Sequence, residues 1–70
     1  MKFSDKVKYL RIKRGYTQVE LAKLTNITQP ALQAYEAGKA KPLKNTAIQL
    51  AKVLGVDVND LMNDERSVIE

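Results

Sequence analysis

Apolar residues recur three and four positions apart along most of this chain, and strand-type alternation never persists beyond a few residues. Phe3, Val7 and Leu10 make the first such stripe, which predicts a helix from about Ser4 to Arg14. Ser4 is a candidate N-cap, Asp5 sits at the positive end of the helix dipole, and Lys13 and Arg14 sit at its negative end. Gly15 can take the left-handed conformation that closes a helix. Thr17 and Glu20 have the spacing of a capping box, so a second helix should open at Gln18 and end near Thr25. Its apolar positions are Val19, Leu21, Ala22 and Leu24. Asn26 tolerates a positive φ better than most residues and marks a tight turn.

Thr28 is the next candidate N-cap, and Pro30 falls in the first turn, where a missing N–H costs nothing. Leu32 and Tyr35 should face inward, and Gly38 should close this third helix. A short basic loop, Lys39-Ala40-Lys41-Pro42, follows. The fourth helix is expected from Lys44 or Asn45 to Leu54, with a wide stripe of Ala47, Ile48, Leu50, Ala51, Val53 and Leu54, and Gly55 at its end. Asp57 is placed to cap a last short helix, residues 58 to 62, that tucks Leu61 and Met62 onto the core. The pattern is all-α, with one domain over residues 1–62 and an acidic C-terminal tail over 63–70.

Composition narrows the chemistry. Seventy residues are close to the size at which one apolar core is only just sufficient. Without cysteine there is no disulfide and no thiolate metal site; without histidine the usual zinc ligand and the commonest general base are missing. No glycine-rich phosphate loop or carboxylate cluster is present, so the sequence argues against an enzyme and calls for no cofactor or metal. No apolar run nears the roughly 18 residues of a membrane span, and the first residues lack the apolar stretch of a signal peptide, so a soluble, cytoplasmic chain is expected.

The net charge of +4 is unevenly spread. Residues 1–44 carry ten Lys and Arg against three acids, a net of +7, whereas residues 45–70 carry two against five, a net of −3. A basic body with an acidic end suits a polyanion on one face. The plainer reading, a basic surface that merely aids solubility, stays open on charge alone.

The order and spacing of particular residues go further. Arg11, Gly15, Thr17-Gln18, Glu20-Leu21-Ala22, Ile27-Thr28-Gln29, Leu32, Tyr35-Glu36 and Gly38 fall in a register that continues through Pro42, Leu43, the run from Leu50 to Val56, and Leu61. Over about residues 3–62 the chain resembles the phage-repressor helix-turn-helix family, the lambda repressor and Cro type often called XRE-like. Asn26, where glycine is common, and Pro30, where a small or polar residue is usual, depart from the pattern. The resemblance implies a five-helix lambda-repressor-like domain, with the second and third helices as the motif and the third lying in the major groove.

Carried over residue by residue, the resemblance makes Gln18 a phosphate contact at the start of the second helix and Gln29 the leading base contact. Gln33, Ala34 and Pro30 match other groove-facing positions, although Pro30 also reads as a helix-start device. Thr28, Lys39, Lys41, Lys44 and Asn45 match positions beside the sugar-phosphate backbone. Arg11 and Glu36 match a structural ion pair joining the first helix to the end of the third. Elementary chemistry agrees: a glutamine amide can bond adenine N6 and N7 together, an alanine methyl suits thymine, and lysines meet phosphates as point charges. The implied function is a sequence-specific regulator of transcription, a repressor bound as a homodimer to a palindromic double-stranded DNA operator. Val56, Val58, Leu61, Met62, Val68 and Ile69 are candidates for the dimer surface or for a cap on the monomer's own core. The alternative is an antitoxin or other regulator that acts mainly through a protein partner. No small-molecule ligand is implied, and RNA binding lacks its usual aromatic-bearing sheet.

Overall fold

The computed structural model describes residues 1–66. They form α1 (Phe3–Lys13), α2 (Gln18–Leu24), α3 (Gln29–Glu36), α4 (Lys44–Leu54) and α5 (Val58–Met62), with no strand among the described residues. The five-helix, all-α expectation is what the structure shows. Phe3, Val7 and Leu10 from α1 meet Leu21, Leu32, Leu50, Leu54 and Leu61 in one buried core. Each such side chain contributes about 1.5–3 kcal/mol when fully withdrawn from water.

The boundaries follow local chemistry. Thr17 Oγ1 accepts from the Glu20 N–H, and the Glu20 carboxylate accepts from the Thr17 N–H, completing the capping box of α2. That pairing holds the Glu20 carboxyl below its ordinary range. Thr28 Oγ1 accepts from the Ala31 N–H at the start of α3, with Pro30 in its first turn. Asn26 takes φ 57°, the conformation that lets α2 turn into α3 in so few residues. Asp57 caps α5 through the Asn59 N–H.

Not all the apolar positions of α2 join the core, and one expected cap differs. Val19 and Leu24 are 43% and 53% exposed. At 100° per residue the inner face of α2 centres on Gln18, Leu21, Ala22 and Thr25, and Val19 and Leu24 lie roughly 110° away from it. A helix of 7 residues has no second apolar face to bury. Ser4, in turn, is not the cap of α1. The helix begins one residue earlier, Lys2 occupies the N-cap without a side-chain bond, and the Phe3 N–H donates instead to Asp64 Oδ1 at 2.9 Å.

That bond draws the chain beyond α5 onto α1. Lys6, fully buried, donates through Nζ to the Asp60 carbonyl at 2.6 Å and also to the Asn63 carbonyl. A cation thus sits on the C-terminal carbonyls of α5 while a carboxylate sits on the N-terminus of α1, the arrangement that both helix dipoles favour. Burial lowers the pKa of Lys6, and the Asp64 and Asp60 carboxylates oppose that shift. Asn63 and Asp64, though exposed, thus bond back to α1; Val68 and Ile69 lie outside the described residues. Leu61 is fully buried in the monomer's core, whereas Val56, Val58 and Met62 are half-buried against it.

Replacing Lys6 with Ala removes a buried stem and strands two carbonyls, so it should cost at least about 2 kcal/mol in urea unfolding. Lys8→Ala, two residues on and exposed, should stay within about 0.5 kcal/mol; equal losses would contradict this packing. The Asp64 carboxyl is held below its ordinary 3.8, chiefly by the Phe3 N–H, against a smaller opposing effect of burial. Its stabilising contribution is present above that value and is lost as pH falls through the lowered folded-state pKa. In thermal melts the advantage of the native chain over Asp64→Asn should shrink in strong acid; a pH-independent difference would refute the bond's contribution.

Candidate nucleic-acid interface

The third helix divides cleanly. Leu32 is buried, and Tyr35 is half-buried with its ring edge-on to Phe3 at 6.3 Å and 70°. The opposite side carries Gln29, Pro30, Gln33 and Ala37, all exposed, with Ala34 half-buried among them. Residues 29, 33 and 37 follow at four-residue steps and 30 and 34 lie alongside, so these side chains share one face. A shallow hollow of about 290 Å³ runs along it, bordered by Pro30, Gln33, Ala34, Ala37 and Lys39. The Ala34 and Ala37 methyls keep this face flat enough for close approach by another surface.

Beside it the three helices of the motif region meet at one carboxylate. Arg11 Nε donates to Glu36 Oε2 at 2.7 Å, and Arg11 Nη2 donates to Glu36 Oε1 at 3.1 Å. The Glu36 side chain is only 4% exposed and that of Arg11 13%, so this two-pronged pair is largely withdrawn from water. Arg11 Nη1 donates further to the Tyr16 carbonyl at 2.9 Å, fixing the segment that leads into α2. Gln18 Nε2 donates to the same Glu36 Oε1 at 3.2 Å. Gln18 is thus half-buried and held by an internal partner, a contact that the sequence reading did not anticipate. Its position on the inner face of α2 was the available signal. A second hollow, about 330 Å³, opens beside this cluster between Lys8, Arg11, Gln18 and Gln33.

The remaining candidates are solvent-facing. Thr28, Lys39, Lys41, Lys44 and Asn45 are all exposed. Thr28 is committed through its hydroxyl to the cap of α3. Gly38, at φ 75°, turns the chain out of α3, and the Lys39 N–H closes back onto the Ala34 carbonyl at 3.0 Å. Lys44 and Asn45 open α4, whose N-cap, Leu43, makes no side-chain cap bond. Lys41 Nζ stands 3.7 Å from Asp64 Oδ2. Tyr16 packs against the core through part of its ring, and Lys13 Nζ lies 5.7 Å from the centre of the Tyr9 ring. Among the described residues there is no cluster of side chains able to hold a metal ion, and no helix is long and apolar enough to cross a membrane.

The helix-turn-helix family model matches residues 7–61, and the chain belongs to that family, in its XRE-like, phage-repressor form. Members of the family are DNA-binding transcriptional regulators. An uncharacterized SPbeta prophage-derived helix-turn-helix transcriptional regulator of Bacillus subtilis, YonR, is 30% identical over 96% of this chain and 74% of its own length. The cryptic phage CTXphi transcriptional repressor RstR of Vibrio cholerae is 34% identical over 97% of this chain, which spans 61% of that repressor. Among solved structures, the P22 c2 repressor in complex with a synthetic operator superposes with a TM-score of 0.87, covering 91% of this chain and 97% of that one at 19% identity. That likeness is one of fold.

Removing the charge of Glu36 leaves the Arg11 guanidinium half-enclosed without its counter-ion, and breaking such a pair costs about 3–5 kcal/mol when buried. Glu36→Gln should therefore depress the melting temperature well beyond Glu20→Gln, which changes an exposed cap and keeps an acceptor oxygen. Equal depression in a thermal melt would show that the pair does not hold the motif together.

Proposed function

We propose that this chain binds double-stranded DNA sequence-specifically, with α3 in the major groove, and represses transcription as a homodimer on a two-fold operator. The observation that carries the reading is the exposed stripe of Gln29, Gln33 and Ala34 on a helix whose other side is locked into the core by Leu32 and Tyr35. A rigid helix with amides along its outward face can read base edges; a mobile one would lose that contact to ordering entropy. Gln29 at the helix start is the candidate adenine reader, with Gln33 one turn on. Ala34 offers a methyl for thymine, and Pro30 pre-sets the first turn while sharing the same face.

Backbone contacts flank this stripe. Gln18, steadied by Glu36, stands at the opening of α2. Thr28 begins α3, and Lys39, Lys41, Lys44 and Asn45 trace a cationic rim from the end of α3 to the start of α4. Such contacts fix register on the duplex and supply salt-dependent affinity without sequence information. One copy of α3 spans only a few base pairs, so two copies on half-sites about 34 Å apart give useful discrimination. Val56, Val58 and Met62, half-buried against the core, are the apolar residues suited to join two copies. Leu61 is excluded by its complete burial.

Selection of bound duplexes from a random pool should return a consensus of two inverted half-sites. The same selection with Gln29→Ala should lose preference at one position in each half-site, worth about 1–3 kcal/mol of discrimination. Lys39→Ala should instead weaken all duplexes alike and lower the slope of log affinity against log salt by about one. A pool that shows no enrichment, or a lysine variant that changes the consensus, contradicts these roles.

A further inference from the structure

We propose that Asp64 restrains DNA binding by holding Lys41, a cation of the phosphate-facing rim, against the folded body. The inference rests on the reading that Lys41 meets phosphate, and it adds a built-in competitor for that phosphate.

Asp64 is no loose tail residue. Its Oδ1 accepts from the Phe3 N–H at 2.9 Å, and the chain on either side is pinned because Lys6 Nζ donates to the Asp60 and Asn63 carbonyls. The position of the carboxylate is thereby set by the packing of α1 against α5, independently of the loop that carries Lys41. Its second oxygen, Oδ2, is left aimed at Lys41 Nζ, 3.7 Å away across a cleft of about 230 Å³ that Lys2 and Ser4 also border. One carboxylate thus has a structural oxygen and an oxygen that faces the rim.

Lys39 and Lys44, the neighbouring rim cations, have no such carboxylate partner among the described residues. Both members of the Lys41–Asp64 pair remain well exposed, with side chains 63% and 45% accessible. An exposed pair of this kind is weak, about fivefold at most in an equilibrium, so a phosphate can displace the carboxylate but must compete with it. The restraint falls on phosphate contact, so it lowers affinity for every duplex equally and leaves the base preference intact.

Asp64→Asn tests this without dismantling the fold, because the amide oxygen can still accept from the Phe3 N–H; Asp64→Ser, which also keeps an oxygen, serves if the first variant melts near the assay temperature. In titrations of the whole chain with a random-sequence duplex at about 50 mM salt, Asp64→Asn should bind roughly two- to fivefold more tightly. The gain should vanish at high salt and should be absent when Lys41→Ala is combined with it. Unchanged affinity on Asp64→Asn, with Lys41→Ala still weakening binding, overturns the restraint and leaves the phosphate role of Lys41 standing. A gain that persists in full without Lys41 also overturns it. No effect of Lys41→Ala on binding by an otherwise competent chain overturns both readings.

Discussion

A single carboxylate, that of Glu36, joins the three helices on which the outward face of this domain depends. It receives two hydrogen bonds from Arg11 of α1 and one from Gln18 of α2, while belonging itself to the last turn of α3. A largely buried charge pair adds little net stability compared with an apolar substitute, since desolvation offsets most of the attraction. What it supplies is geometry. Few other arrangements can satisfy a guanidinium, a glutamine amide and a backbone carbonyl at once, so α2 and α3 are held in one relation to α1. The apolar core below, centred on Leu10, Leu21 and Leu32, provides the driving force.

That division of labour explains why opposite sides of α3 look so different. Inward, Leu32 and Tyr35 are committed to packing; outward, amide and methyl groups lie on a face with no charge of its own. The charge sits instead at the margin, in the lysines that follow Gly38 and begin α4. On the proposed function, a neutral face with a cationic border separates the two demands of duplex recognition, discrimination by base edges and affinity from phosphates. The acids of the C-terminal third are drawn to the opposite end of the chain's charge pattern, and Asp64 reaches back to the border at one point.

Most of the architecture was legible in the sequence because it is written in local chemistry. Thr17 with Glu20, Thr28 ahead of Pro30, Asn26 in the turn, and Asp57 before α5 each announce a helix end through bonds spanning only a few residues. The features that escaped are non-local. The cap of α1 comes from a residue 61 positions away, and the bonds of Lys6 reach across 54 and 57 positions, so no window of sequence could display them. Lys6 would ordinarily be assigned to solvent; the Asp60 and Asn63 carbonyls, with the nearby Asp60 and Asp64 carboxylates, make its burial tolerable. The exposure of Val19 and Leu24 escapes the sequence for another reason: apolar identity does not fix direction on a helix too short to bury more than one face. For the candidate interface, sequence pattern and resemblance nominated the side chains, while the structure supplied exposure, shared face and the internal partner of Gln18.

The central claim is that the outward side chains of α3 are the reading surface. Its most direct test is nuclear magnetic resonance of the chain during titration with a selected duplex, following the side-chain amide signals of Gln29 and Gln33. The account requires both pairs of signals to shift on binding, together with backbone signals from residues 38–45, while those of Val56, Val58 and Met62 respond only to pairing between copies. Bound DNA that leaves the two glutamine side chains unperturbed would contradict it.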